Sequence, residues 1–359
     1  MGIIRFLLAL SVFFSHLRIT GNNYFLNNGS EAVELFFIIS GFYMFLTYES
    51  KYMKLKSYSK YYFYSNRFLR IYPTYFIVLL LSIGYAIYSS KYSPDLHNKL
   101  AAYVAYKDHL SASSYYLLGF LNISLVGLEI MDFFKIYGSG FIMKLSSNKD
   151  IGDNLLSQFQ MVPQAWSLGM EFWFYLLCPF FVKLKNKSIL KLLLGLLICK
   201  IFFMYFVSNA YNWEFRFIFF ELILFLLGGF VYSFFKMKQL INIKFSVWVF
   251  VLIFISILFL NTFAHLFFIK WCFYFLFAFS IPLVFDLFKN NKFDKLLGEL
   301  SFPLYIGQAL IIMLAREFVY ESEWIRIVFI ICALLIFSFV LLRLSNPIEK
   351  YRANRLSNK

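Results

Sequence analysis

Residues 245–263 read FSVWVFVLIFISILFLNTF, nineteen positions without a charged side chain. Coiled as an α-helix at 1.5 Å per residue, this stretch is about 28 Å long, close to the ~30 Å thickness of bilayer hydrocarbon. Other apolar runs of similar length occupy 3–20, 33–48, 71–90, 162–183, 189–207, 215–235, 267–288, 299–320 and 325–344. Bulk composition agrees. The 359 residues are 61% hydrophobic and only 15% charged, against roughly 45–50% and about 25% in soluble domains. An aqueous fold of this length has no core large enough to hide that much apolar surface. The expected fold is therefore all-α: a polytopic integral membrane helical bundle of about ten transmembrane helices, in which each backbone satisfies its own polar groups.

Charge gives the orientation. The loop 49–70 carries Lys51, Lys54, Lys56, Lys60, Arg67 and Arg70 against a single acid, Glu49. With that loop in the cytoplasm, Lys183, Lys185, Lys187 and Lys191 fall inside as well. So do Lys236, Lys238 and Lys244, then Lys289, Lys292 and Lys295, and finally Lys350, Arg352, Arg355 and Lys359. One parity puts every basic loop and both termini in the cytoplasm, as the positive-inside rule requires. The net charge of +15 is thus a membrane signature, and no nucleic-acid partner is expected. This organisation gives a transmembrane domain over 1–345 and a basic cytoplasmic tail over 346–359. Within the domain, 91–161 forms one long extracytoplasmic loop, whose six lysines balance six acids. Its apolar stretch 115–130 is expected to be an interfacial or re-entrant helix, because a full crossing would carry all later lysines outside. The first helix, with Arg5, His16 and Arg18 and no small-residue cleavage site, reads as retained rather than as a signal peptide. Cys178, Cys199, Cys272 and Cys332 lie in apolar runs without ligand spacing, so no metal is expected.

Ionisable groups inside membrane spans are costly and mark functional sites. Arg5 and His16 are eleven residues apart, about three turns, which places both on one helix face and ~16 Å apart along the axis. Glu34 enters the second span and is followed by Ser40 and Gly41, a small pair that lets another helix approach closely. Arg67 and Arg70 share a face ahead of Pro73. They fit ordinary positive-inside charge or a clamp for phosphates, for which guanidinium is well suited. Trp166 and Ser167 open the fourth span, with Glu171 about a turn and a half deeper. That depth, counted from the outer helix ends, matches His16 and makes Glu171 the expected partner of the imidazole. Trp166 also fits an aromatic-belt anchor. Tyr305 and Gln308 share one face of the ninth span, where either would serve as a hydrogen-bonded contact between helices.

These segments, in this order, resemble the membrane-bound acyltransferase family 3. The family's R-x10-H first helix is matched by Arg5 and His16, and its G-V-D-L-F-F-V-I-S-G-F motif by Ala32 to Phe42. R-x-x-R-I-x-P is matched by Arg67 to Pro73, W-S-L-x-x-E by Trp166 to Glu171, and G-x-x-S-Y-P-L-Y by Gly298 to Tyr305. The resemblance implies a multi-pass O-acetyltransferase of the bacterial inner membrane, with acetyl-CoA as acyl donor. Its acceptor would be a hydroxyl of a glycan or lipid-linked glycan such as O-antigen, capsule or exopolysaccharide. On this reading Arg67, Arg70 and Arg5 hold the donor's phosphates. His16 is the catalytic base or the acyl carrier, with Glu171 and Arg5 completing the catalytic set. Glu34, Ser40, Trp166, Ser167, Tyr305 and Gln308 line or support the site. Membrane lipids, acetyl-CoA and the glycan are the implied partners, and nothing in the sequence sets an oligomeric state. Two positions depart from the family pattern: Glu34 stands for an Asp, and Gln308 stands where a His is common and cannot shuttle a proton. From the residues alone, a lipid-linked glycan transporter (flippase) or a glycan polymerase is the competing reading. Transporters often carry inverted repeats, and this sequence has none.

Overall fold

The computed structural model describes residues 1–17, 26, 29–92, 99–143, 155–206, 211–236, 243–262, 266–318, 320 and 322–357. Arg18, Lys238 and Lys359 lie outside the described residues. In chain order the helices are α1 (Gly2–Leu17), α2 (Gly29–Thr47), α3 (Ser59–Tyr92), α4 (Ala101–Ala105), α5 (Ala112–Ser124) and α6 (Trp166–Phe181). There follow α7 (Asn186–Phe206), α8 (Tyr211–Arg216), α9 (Ile218–Phe235), α10 (Ile243–Leu258), α11 (Phe267–Phe288), α12 (Lys292–Ala315) and α13 (Glu323–Ser357). Among the described residues, six helical runs are long and apolar enough to cross a membrane: Gly29–Tyr92, Asn186–Phe206, Ile218–Phe235, Phe267–Phe288, Lys292–Ala315 and Glu323–Arg355. Gly2–Leu17 and Phe245–Leu258 are shorter apolar helices. Large apolar side chains such as Ile198, Phe202, Trp248 and Ile336 stand exposed on the outer helices. Water would penalise that surface and lipid would not, so this is a helical membrane protein.

Glycine sets the tightest packing. A Cβ on Gly41 of α2 would overlap the carbonyl of Phe225 on α9, and one on Gly228 of α9 would overlap the carbonyl of Ile38. The two main chains therefore touch at two reciprocal points, as small residues permit. The first helix packs on α2 and α12, which makes α1, α2, α9 and α12 the centre of the bundle.

The long loop holds an element that the sequence reading did not anticipate. Strands β1 (Phe134–Tyr137) and β2 (Gly140–Met143) pair antiparallel, Phe134 opposite Met143 and Tyr137 opposite Gly140. Gly138, at φ +57°, supplies the left-handed turn residue such a hairpin needs. Ahead of it, α5 starts at Ser111, whose hydroxyl accepts the Ser114 N–H at 3.3 Å, a conventional N-cap. Thirteen residues give α5 only ~20 Å of length, too little to cross. Its end meets the middle of α3: Tyr72 donates to the Ile123 carbonyl at 3.0 Å, and Tyr75 donates to the Asn122 carbonyl. At Gly127 (φ +96°) the chain reverses into the largely buried turn Leu128–Phe133.

Candidate functional site

Most of the motif residues divide between two cavities among the described residues. The larger, about 710 Å³, is lined by Arg5 of α1, Ser40 of α2, Arg67 and Arg70 of α3 and Glu171 of α6, with Lys289, Lys292 and Lys295 around α12's start. Arg67 is buried and lies over the rings of Phe63 and Tyr175, 5.4 and 5.9 Å from their centroids. Its Nε has no hydrogen-bond partner. Among the described residues, no carboxylate lies within ion-pair distance of Arg5, Arg67 or Arg70. Glu171, Asp294 and Glu299 also line this cavity, yet none of them pairs with these guanidiniums, which leaves the donors open to an anionic ligand. Phosphate suits them because the planar fork can grip it at two points.

The second cavity, about 490 Å³, carries His16 in the last turn of α1. Ser15, Glu31, Gln164, Trp166 and Arg216 share its lining. Val33 and Tyr305 line both cavities and so form a common wall. That wall is tied by hydrogen bonds. The Tyr305 hydroxyl donates to the Gln164 carbonyl at 3.0 Å and shares a bond with Ser167 Oγ at 2.7 Å, while Gln164 Nε2 donates to the Ile306 carbonyl at 2.5 Å. Two distant motifs, Trp166–Glu171 and Gly298–Tyr305, thus meet at one point.

Glu171 is not beside His16, and the expected pairing is corrected here. Its Oε1 accepts from Ser40 Oγ at 2.8 Å and its Oε2 from the Tyr175 hydroxyl at 2.5 Å. It lines the arginine cavity, whereas Trp166, five residues or ~7.5 Å back along α6, lines the histidine cavity. Depth counted from helix ends misplaced it: the level of Trp166 at the start of α6, not that of Glu171, reaches the cavity of His16.

The remaining candidates are buried supports. Glu34 is fully buried and lines neither cavity. It accepts from the Tyr274 hydroxyl and pairs with Lys270 Nζ at 3.1 Å. Gln308 is also fully buried, lines neither cavity and makes no hydrogen bond among the described residues, so it is not the interhelical contact expected of it. Charges that the sequence reading passed over complete the picture. Lys270 lies 3.7 Å from Glu214, Lys200 pairs with Glu221 at 3.4 Å, and Arg216 pairs with Asp132. Lys200, Arg216, Glu221 and Lys270 all sit inside apolar runs, the very signal used for His16 and Glu34. Among the described residues, no group of three or more His, Cys, Asp or Glu is placed to hold a metal ion.

Comparison with known families places the chain. The model of acyltransferase family 3, described as an acyltransferase domain, matches residues 1–343. The chain belongs to that family. No curated protein and no solved structure matched it in the same comparisons. As a multi-pass membrane acyltransferase it needs one place for an acyl donor and another for an acceptor, and the arginine and histidine cavities, divided by Val33 and Tyr305, are two candidates.

Proposed function

We propose that this acyltransferase moves an acetyl group from cytoplasmic acetyl-CoA to a hydroxyl of a cell-surface glycan, namely O-antigen, capsule or exopolysaccharide. The observation that carries the proposal is the shared wall. A cavity whose three arginines pair with no carboxylate among the described residues adjoins a cavity holding a histidine, with Tyr305 and Val33 lining both. In the membrane of a bacterium, ten crossings with both ends inside turn the arginine cavity toward the cytoplasm, where the donor is made. Arg67, Arg70 and Arg5 grip its phosphates, and the pantetheine arm runs toward the Tyr305 wall. The ~16 Å from Arg5 to His16 along α1 is a span such an arm covers.

A sugar hydroxyl is a weak nucleophile at neutral pH. On the direct route His16 takes its proton, the oxygen attacks the thioester carbonyl carbon, and the C–S bond breaks. The CoA thiolate then takes the proton back from the imidazolium. On the two-step route the imidazole nitrogen attacks first and carries the acetyl group, which the hydroxyl then removes. Both routes release CoA thiol and one acetyl ester. Glu171 works on the donor side, where it fixes Ser40 and Tyr175 and faces the arginines across the cavity.

Sidedness gives the test. Purified protein is sealed into lipid vesicles with radiolabelled acetyl-CoA inside and a bacterial surface polysaccharide outside. The expected result is labelled ester on the external glycan that is released by mild alkali. Free CoA without glycan-linked label, or label only on glycan trapped inside, would overturn the proposal.

A further inference from the structure

The histidine cavity contains a cation that the acetyl-transfer scheme leaves unused. Arg216 ends the six-residue helix α8 and lies flat over Trp166, its guanidinium carbon 4.7 Å from the ring centroid. Phe215 meets the same indole edge-on, with centroids 5.0 Å apart. One Arg216 nitrogen pairs with Asp132, and Nε is buried with no hydrogen-bond partner. The side chain remains about one-fifth exposed, on the cavity that also holds His16. A guanidinium has five N–H donors, and the pair with Asp132 occupies only one of its nitrogens.

Its position is fixed from behind. Glu34 binds Lys270, Lys270 lies 3.7 Å from Glu214, and Glu214 is two residues from Arg216 on α8. Asp132 holds the other side. A fully buried carboxylate that touches neither cavity is thereby linked, through Lys270 and Glu214, to the helix that carries Arg216. Opposite, Glu31 of α2 takes the Ser30 hydroxyl at 2.9 Å and gives the cavity a carboxylate wall. The cavity is polar in a directed way: a cation on the α8 side, a carboxylate on the α2 side, and an imidazole on α1.

We infer that Arg216 is the specificity residue of the acceptor site and that it takes an anionic oxygen of the acceptor glycan, a sugar carboxylate or a phosphate, while Glu34 and Lys270 act as its positioning residues. The inference rests on the histidine cavity being the acceptor side. A guanidinium with unspent donors favours a charged oxygen over a hydroxyl, because opposite charges attract and the planar fork can grip an anion at two points. A glycan with an anionic group on one side and hydroxyls on the other fits the two walls.

Binding is measured without acyl donor on the full-length protein in detergent, so the result does not depend on transfer. The probes are cellobiose, cellobiouronic acid and cellobiose 6-phosphate. The wild type is expected to bind at least one acidic probe tenfold or more tighter than cellobiose. Carboxylate against phosphate preference then names the source of the anion. R216M should erase the difference, R216K should restore part of it, and K270M should reduce it. The double variant K270M/R216M should bind no worse than R216M, because both act through one group. Unchanged acetyl-CoA affinity shows that each variant is folded. Equal binding of all probes by the wild type, a preference that survives R216M, or additive losses in the double variant would each overturn the inference. Failure of the vesicle transfer assay with the acidic preference intact would instead count against acetyl transfer alone.

Discussion

The two cavities hold arginine in opposite conditions. In the larger one, Arg5, Arg67 and Arg70 have no carboxylate at ion-pair distance among the described residues, while in the smaller one Arg216 is paired with Asp132 and stacked on Trp166. A buried charge without a counterion is costly, and a buried pair has already met that cost. The first cavity thus leaves three guanidiniums open to an anionic ligand, whereas the second offers the donors of one guanidinium that Asp132 leaves free. On the proposed function, the heavily charged CoA belongs to the first side and a selective, weaker contact to the other.

Replacing the imidazole should give the largest effect. His16→Ala is expected to lower acetyl transfer about 10²- to 10⁴-fold, the usual worth of a positioned acid–base group. Acetyl-CoA affinity, measured by calorimetry on the same variant, should stay within twofold. A comparable loss of donor affinity would merge the two cavities into one site. Removing the clamp comes next. Arg67→Ala with Arg70→Ala should weaken acetyl-CoA binding about ten- to a hundredfold, from charge-assisted bonds of roughly 1.5–3 kcal/mol each that act in part together. Dephospho-CoA competition should lose most of its dependence on the missing phosphate. Lower turnover at unchanged donor affinity would contradict the clamp.

Glu171→Gln sharpens the comparison. It keeps the shape but loses the charge that Ser40 and Tyr175 bind, so donor KM should rise about five- to thirtyfold, as expected when a charged hydrogen bond becomes neutral. The pH profile of turnover should not move, because Glu171 does not touch His16. A displaced profile would restore the carboxylate to the imidazole's side. Tyr305→Phe should be the mildest change. It deletes the bonds to Ser167 and the Gln164 carbonyl at a cost of about 1 kcal/mol. Transfer should fall by less than tenfold, and the melting temperature should drop by a few degrees at most.

Helices were readable because the chain writes them in long apolar runs, and a candidate membership for the site was readable because charge inside such runs is rare. The partition of that membership was not. Period and depth along one helix follow from 1.5 Å per residue, but the rotation and offset of α6 against α1 depend on packing, which a single sequence does not encode. Glu171 was therefore matched to the wrong cavity. Lys200, Glu221, Lys270 and Arg216 were visible as charges in apolar runs, yet their meaning comes from pairing across helices: Lys200 with Glu221 and Lys270 with Glu34. The β1–β2 hairpin was signalled only by the short Gly138-Ser139-Gly140 turn between strands of four residues, too brief for an alternating pattern to stand out.

The contact of Gly41 with Phe225 and of Gly228 with Ile38 restricts how this molecule can move. Two rods whose main chains interlock at paired notches can neither roll nor slide past each other without forcing a backbone atom into a carbonyl. Rocking of one half against the other, the stroke of an alternating-access carrier, is barred along the α2–α9 seam. On the proposed function, the acetyl group then crosses between the cavities by side-chain rearrangement at their wall, a displacement far too small for a whole sugar.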